Sequence, residues 1–123
     1  MGGAEGGQTD GVEPVLVVDG RDAAPLEVAA TRRAQGRGLL GRDGIDGALW
    51  LPGVRSVHSV GMRFPIDVAW VDRSGRVRRV RTMVAGRASA WVPRAAGVLE
   101  AEAGSFARWH LAPGAVVTLS DEA

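Results

Sequence analysis

Short apolar runs, each followed by a turn signal, recur along most of the chain. Val15–Val18 ends at an Asp-Gly pair and the alternating segment Leu26–Ala29 follows, which predicts a first β-hairpin. A second hairpin is predicted over Ile66–Val84, where Ser74-Gly75 separates two apolar segments. Further short strands are predicted at residues 47–51, 57–64, 90–92, 97–103 and 116–119, with Pro65 interrupting the chain between the 57–64 strand and the second hairpin.

One segment has a helical pattern. Thr31 can cap a helix of good helix formers, and three glycines between residues 36 and 41 limit it to about two turns. These glycines spell GxGxxG, but they end a helix instead of opening one, so we reject dinucleotide binding. We expect Leu39 and Leu40 to tuck beneath the sheet, and Phe106–Trp109 predicts a further helical turn.

Together these elements predict an α+β protein that is mostly β. Many short strands with regular turns favour a small antiparallel sheet, curled into a barrel-like or sandwich form, with one short helix. Residues 1–13 are glycine-rich and acidic and predict a flexible tail, which leaves residues 14–123 as a single domain. We see no signal peptide and no apolar run as long as a membrane span, so the expected location is the cytoplasm.

The composition excludes several kinds of chemistry. The absence of cysteine rules out disulfides, zinc ribbons, iron–sulfur clusters and a thiol nucleophile. All fifteen basic residues are arginine, so a Schiff-base lysine and the lysine of a phosphate loop are also excluded. We predict no cofactor, and we assign neither catalytic residues nor metal ligands.

Positive charge is concentrated in one part of the chain. Seven arginines and no acidic residue lie between residues 73 and 99, and Arg76–Arg81 is basic on both faces of a strand, although the net charge is only +1. Charge of this kind protects an edge strand against aggregation and could also bind nucleic acid. The near-neutral total argues against nucleic acid, while docking of an acidic protein partner stays open.

The segment Val57–Asp72 carries the most candidate chemistry. His58 and Met62 are four residues apart, which places them on one face of an extended strand. Imidazole and thioether groups suit copper(I), but two ligands do not complete a site. A methionine that fills a gap in the core, beside a hydrogen-bonded histidine, is the favoured interpretation.

Asp67 lies in a strand with apolar residues on both faces, so we predict that it is buried. A buried carboxylate needs partners, and the candidates are Arg63, Arg42, His58 and backbone N–H groups. A structural tie is favoured over a tuned carboxylate at a ligand pocket. Glu100 is expected on a half-exposed strand, and a catalytic carboxylate pair would require it to approach Asp67.

With these residues identified, the chain resembles the DUF192 family of small proteins of unknown function from about Thr31 to Leu119. The resemblance implies a compact β-rich fold with a short helix, and it brings no established activity. Many members have Lys-Asn-Thr before the proline step and an aspartate where this chain has Ala115, so roles of those residues are not carried over. The matching segments are Arg37–Arg42, His58–Val68, Asp72–Val77, Val98–Glu100 with Gly104, and Leu111–Gly114.

The function predicted from the sequence is a non-catalytic binding module for a small ligand or a protein. Its pocket would lie around residues 57–67, where arginine could clamp an anionic or carbonyl group. The alternatives are an enzyme with Asp67 or His58 as acid/base, and an interaction protein whose 76–81 strand docks an acidic partner. The predicted ligand-binding residues are Arg42, His58, Met62, Arg63 and Asp67.

Overall fold

The computed structural model describes residues 14–120, which contain seven strands and two short helices. The predicted tail at residues 1–13 lies outside the described residues, as do residues 121–123. The strands are β1 Val15–Val18, β2 Arg21–Val28, β3 Ala48–Pro52, β4 Ile66–Val71, β5 Val77–Met83, β6 Gly97–Glu102 and β7 Val117–Ser120. The helices are α1 Arg32–Arg37 and α2 Ser105–Arg108.

The strands form one curled sheet in the order β5-β4-β6-β3-β2-β1-β7. Neighbours are antiparallel except for β2 and β3, which are parallel because α1 and its following loop connect them. Near the two ends of the sheet, Arg76 forms a bridge with Val116, and the Val77 N–H donates to the carbonyl of Ala115 at 2.9 Å. The result is a half-barrel, and the predicted mostly β class is confirmed.

Both predicted hairpins are confirmed. In the β1–β2 hairpin, Asp19 and Gly20 have φ of 48° and 84°, the left-handed pair that matches the twist of a two-residue hairpin turn. The second strand of this hairpin starts at Arg21, earlier than predicted, and continues through Pro25. The second hairpin pairs β4 with β5, and β5 is at one end of the strand order.

The sheet is covered on both faces, which explains why all six residues of β4 are buried. One face packs against α2 and carries the inner core. The other face lies beneath α1 and the loops that follow it, and it carries the outer core. The inner core includes Leu16, Ala69, Leu99, Phe106 and Val117, and the outer core includes Leu39, Leu51, Val68, Trp70 and Met83.

Two predicted strands are wrong. Val57–Phe64 is a loop with one isolated bridge at His58, because the chain turns at Gly61 (φ 84°) and the Ser59 hydroxyl donates to the carbonyl of Val84 at 2.6 Å. Residues 90–92 are also a loop. It makes a backbone hydrogen bond to the loop after β3 instead of to a strand, because the Val92 N–H donates to the carbonyl of Arg55 at 3.0 Å.

Helix α1 begins as predicted, because the Thr31 hydroxyl accepts a hydrogen bond from the Ala34 N–H at 3.0 Å. Leu39, which follows the helix, is fully buried, and Leu40 is half-buried.

We predict that Thr31→Ala lowers the free energy of unfolding by about 1 kcal/mol, because the first turn of α1 loses its side-chain acceptor. Urea denaturation would measure the change, with Arg33→Ala on the exposed helix surface as the control. An equal loss in both variants would contradict the capping role.

Candidate functional site

The loop after α1 approaches the sheet closely at Gly38. Gly38 has φ 53° and ψ −132°, and a Cβ at this position would lie 2.6 Å from Oε1 of Glu100. The next residue, Leu39, donates its N–H to the same oxygen at 3.1 Å. Only glycine permits this approach, so the loop backbone is fixed against a carboxylate of the sheet.

Glu100 lies at the centre of the sheet and not on a half-exposed strand, so that prediction is wrong. Its strand β6 runs between β4 and β3, where Val68 and Leu49 are its partners in register. The residue is only 3% exposed. The reason is that the loop after α1 covers the outer face, which the alternating sequence of β6 cannot reveal.

The buried carboxyl of Glu100 has one protein partner among residues 14–120. Leu39 donates to Oε1, and none of the described residues donates to Oε2. Burial raises the pKa of Glu100 to about 7, although the Leu39 N–H and the charge of Arg42 act to lower it. The group therefore changes its charge close to neutral pH.

Glu100 lies at a small cavity of about 120 Å³, which we call the Glu100 cavity. Apolar and polar side chains both line it, and the polar ones besides Glu100 come from α1 and from the 54–58 segment. A cavity of this size holds about four water molecules, each occupying about 30 Å³. The lining residues are Gln35, Gly36, Arg37, Gly38, Leu51, Val54, Ser56, Val57, His58, Met62 and Glu100.

His58 and Met62 both line the Glu100 cavity, although the reason given for their proximity was wrong. They belong to a loop and not to one strand face, and the turn at Gly61 brings them to the same cavity. Met62 is 7% exposed and packs in the outer core, while His58 is exposed. Of the predicted ligand-binding residues, these two are brought together with Glu100.

The two predicted arginines are engaged elsewhere. Arg42 lines an adjoining cavity of about 280 Å³ and pairs with Glu27, its Nη1 lying 2.9 Å from Oε1. This pairing lowers the pKa of Glu27. Arg63 is exposed and pairs with Asp43 at 2.9 Å. A ligand-binding role for Arg42 or Arg63 stays a prediction.

Asp67 is buried as predicted, at 4% exposure. Its carboxylate accepts hydrogen bonds from the Thr82 hydroxyl at 2.7 Å and from the N–H groups of Gly104 and Phe106 at 2.9 and 3.1 Å. The partners are therefore backbone groups and a hydroxyl, and the carboxylate ties β4 to the start of α2. Its use in a ligand site stays a prediction.

Asp67 and Glu100 project to opposite faces of the sheet. Asp67 is opposite Ala101 in register, whereas Glu100 is opposite Val68, and adjacent residues of a strand alternate between faces. The two carboxyls are thus separated by the sheet and cannot share a substrate.

Comparison with known proteins gives the family. The DUF192 family model, described as an uncharacterized ACR, matches residues 15–119. The chain belongs to the DUF192 family. No curated protein matches it.

Two solved structures have the same fold as this DUF192 chain. A protein of unknown function from Novosphingobium aromaticivorans has 22% identity and a TM-score of 0.73, with 85% of this chain and 83% of that chain covered. A Sinorhizobium meliloti protein, described as a "putative transcription regulator", has 19% identity and a TM-score of 0.74. That match covers 94% of this chain and 100% of the other. At these identities the likeness shows the fold alone.

The segments that carry the DUF192 resemblance meet at the Glu100 cavity. Arg37 and Gly38 come from the first segment, His58 and Met62 from the second, and Glu100 from the β6 segment. Three separate parts of the chain thus form one small site. Sequence reasoning missed Glu100 as its centre, although the close approach at Gly38 depends on it.

The arginines of the 76–81 segment mostly contact this DUF192 chain itself. Arg76 donates to the carbonyl of Gly114 at 3.3 Å and Arg81 to that of Ala88 at 3.2 Å. Arg79 lies over the ring of Trp70 at 5.9 Å. Docking of an acidic partner on this strand would therefore compete with internal contacts.

Two further findings concern residues 14–120. No group of three or more histidine, aspartate or glutamate side chains within this range is arranged to hold a metal ion. No helix in the same range is long and apolar enough to cross a membrane.

Proposed function

We propose that this DUF192 protein binds a small hydrogen-bond-donating molecule in the Glu100 cavity. The observation that carries the proposal is the carboxyl of Glu100, which is 3% exposed while its Oε2 receives no hydrogen bond from the described residues. A buried polar atom without a partner is unfavourable, and a ligand donor would satisfy it.

The chemistry of the cavity indicates the class of ligand. Oε2 accepts a hydrogen bond, so the ligand presents an N–H or O–H group. Leu51, Val57 and Met62 offer an apolar wall, so the donor belongs to a small group with an apolar part. At about 120 Å³, the cavity admits a compact amine, amide or alcohol, or the corresponding end of a larger molecule.

Binding of this kind depends on pH. A donor binds the ionised carboxyl, and the pKa of Glu100 is about 7. The carboxyl is about nine-tenths ionised at about pH 8 and about one-tenth at about pH 6. The affinity for an uncharged donor is therefore expected to fall about tenfold between these values.

The test uses propanol, acetamide and propylamine as probes, with acetate as an acceptor-only comparison. We predict saturable NMR shifts of the Met62 methyl group and the Leu39 N–H with at least one donor probe. Glu100→Met keeps the side-chain length and removes the acceptor, so it should weaken binding by at least about tenfold, as expected for a hydrogen bond to a charged group.

Glu102→Gln provides the matched control. Glu102 is on the same face of β6, but it is exposed and accepts from the Ile45 N–H at 3.1 Å. Its substitution should leave probe binding unchanged. Absence of saturable shifts for all donor probes, or equal binding by Glu100→Met, would reject the proposal.

Acid–base catalysis at Glu100 is the second candidate. The observation in its favour is the pKa of about 7, which suits a general acid or base at neutral pH. Its signature would be turnover of a bound amide or ester, with a rate whose pH dependence has its midpoint near that pKa and which is abolished in Glu100→Gln. A binding module would instead retain the probe without converting it.

A further inference from the structure

The protein has a second concave surface, a shallow groove of about 670 Å³, which shares no lining residue with the Glu100 cavity. Four arginines line it: Arg55 from the loop after β3, Arg73 from the β4–β5 turn, Arg78 from β5 and Arg94 from the loop before β6. The one acidic residue among its lining residues is Asp72. Four guanidinium groups against one carboxylate give the groove a strong positive potential.

The arginines of the groove retain guanidinium N–H groups that make no hydrogen bond to the described residues. Arg73 and Arg94 donate no hydrogen bond to any residue in the 14–120 range. Arg55 donates only through Nε, to the carbonyl of Ala95 at 3.0 Å, so both of its terminal nitrogens stay available. Arg78 makes one long contact of 3.5 Å with Asp72.

Hydrogen bonds from backbone N–H groups hold the groove in shape. Oδ1 of Asp72 accepts from the N–H groups of Ser74 and Arg76, at 2.9 and 3.0 Å, which fixes the turn that carries Arg73. On the opposite wall, the Ala96 N–H donates to the carbonyl of Val71 at 2.7 Å. The arginines therefore extend from rigid elements, which reduces the entropy lost on binding.

Arg55 is further restrained by an aromatic side chain. Its guanidinium carbon lies 5.6 Å from the ring centre of Trp91, and the Ala95 carbonyl holds its Nε. Its free Nη atoms are thus preorganised. A planar guanidinium matches the spacing of oxygens on a phosphoryl group and binds them in pairs.

We propose that this groove binds a small anion that carries two or more phosphoryl groups. Several phosphoryl groups are needed because the four arginines face a single carboxylate, whose Oδ1 is occupied by the turn and whose Oδ2 makes only the long contact with Arg78. A small molecule is favoured over a polymer because the groove has the volume of a ligand site and four separate segments supply its arginines.

The test is calorimetric titration of the full chain with inorganic tripolyphosphate at low ionic strength. Arg73→Gln combined with Arg94→Gln is expected to raise the Kd at least about tenfold, from the loss of several charge-assisted hydrogen bonds. The control is Arg32→Gln with Arg33→Gln, which removes the same charge from the exposed surface of α1. The control should change the Kd by less than about twofold.

Parallel titrations with citrate and with a single-stranded oligodeoxynucleotide define the ligand class. Tripolyphosphate binding that exceeds citrate binding, and that is lost only in the groove variant, supports the proposal. Equal loss in both double variants means general charge attraction and overturns it. Citrate binding of equal strength overturns the phosphoryl assignment, and binding of the oligonucleotide alone would indicate a nucleic-acid surface instead.

Discussion

Replacing Asp67 with alanine lowers the free energy of unfolding by about 3–5 kcal/mol. The substitution removes the acceptor of the Gly104 and Phe106 N–H groups and of the Thr82 hydroxyl; the bond from Phe106 is buried, and the other two are partly buried. An unsatisfied buried donor such as the Phe106 N–H costs about 1–3 kcal/mol, the two partly buried donors add less each, and the connection between β4 and α2 is lost with them. Chemical denaturation followed by circular dichroism would measure the change.

Asp43→Ala is the control for this prediction. Its carboxylate also belongs to a polar contact, with Arg63, but its side chain is 87% exposed, so the expected change is within about 0.5 kcal/mol. Asp67→Asn should also be destabilising, because its amide N–H₂ would face donors. If Asp67→Ala were as stable as Asp43→Ala, the structural role of the carboxylate would be refuted.

Replacing Glu100 with glutamine stabilises the protein above neutral pH by about 2–3 kcal/mol. The pKa of Glu100 rises from 4.5 to about 7 on folding because burial disfavours the ionised form. A difference of this size corresponds to about 3 kcal/mol, since each pKa unit is worth about 1.4 kcal/mol. Glutamine keeps an acceptor for the Leu39 N–H without a charge to desolvate.

The direction of the pH dependence follows from the raised pKa. Below 4.5 the carboxyl is protonated in both the folded and the unfolded chain, and no penalty exists. As the pH rises from 4.5 to about 7, the unfolded chain ionises first, so the contribution of Glu100 increasingly favours unfolding. Wild type and Glu100→Gln should therefore differ little at about pH 4 and most at about pH 8.

Glu102→Gln, exposed on the same face of β6, separates this effect from a general change in charge. Its stability profile against pH should run parallel to that of the wild type. A Glu100→Gln profile that also runs parallel to the wild type would mean that the carboxyl is hydrated in solution. In that case the raised pKa, and the pH dependence of ligand binding, would both be wrong.

The carboxyl of Glu100 is expected to lower the stability of the folded chain and, at the same time, to favour ligand binding. A carboxyl that destabilises the folded chain at neutral pH is unfavourable for the fold alone. A ligand that donates to Oε2 would recover part of that loss on binding. Strained or unfavourable groups are a recognised feature of binding sites for this reason.

Local sequence signals predicted the parts of the fold that local chemistry determines. The Asp19-Gly20 turn and the Thr31 cap act within a few residues, so both were found. The loop at residues 57–64 was missed because its apolar pattern is that of a strand. Its course depends on the distant contact between Ser59 and Val84, which no local pattern reveals.

The two buried carboxylates differ in the same way, because local sequence predicts the burial of one and only tertiary contacts bury the other. Asp67 has apolar neighbours on both faces of its own strand, so its burial could be predicted. Glu100 shares its face with the exposed Glu102, and only its position between β4 and β3, beneath Gly38, buries it. The centre of the candidate site was therefore a property of tertiary structure.

The pairing of β7 with β1 has a consequence for how the chain acquires its structure during synthesis. β7, the last described strand, lies at one end of the sheet and pairs with β1, which belongs to the first hairpin of the chain to be synthesised. That end of the sheet cannot be completed until residue 120 has left the ribosome. Until then β1 presents an unpaired edge, and closing this long loop is the slow, non-local step expected to limit the folding rate.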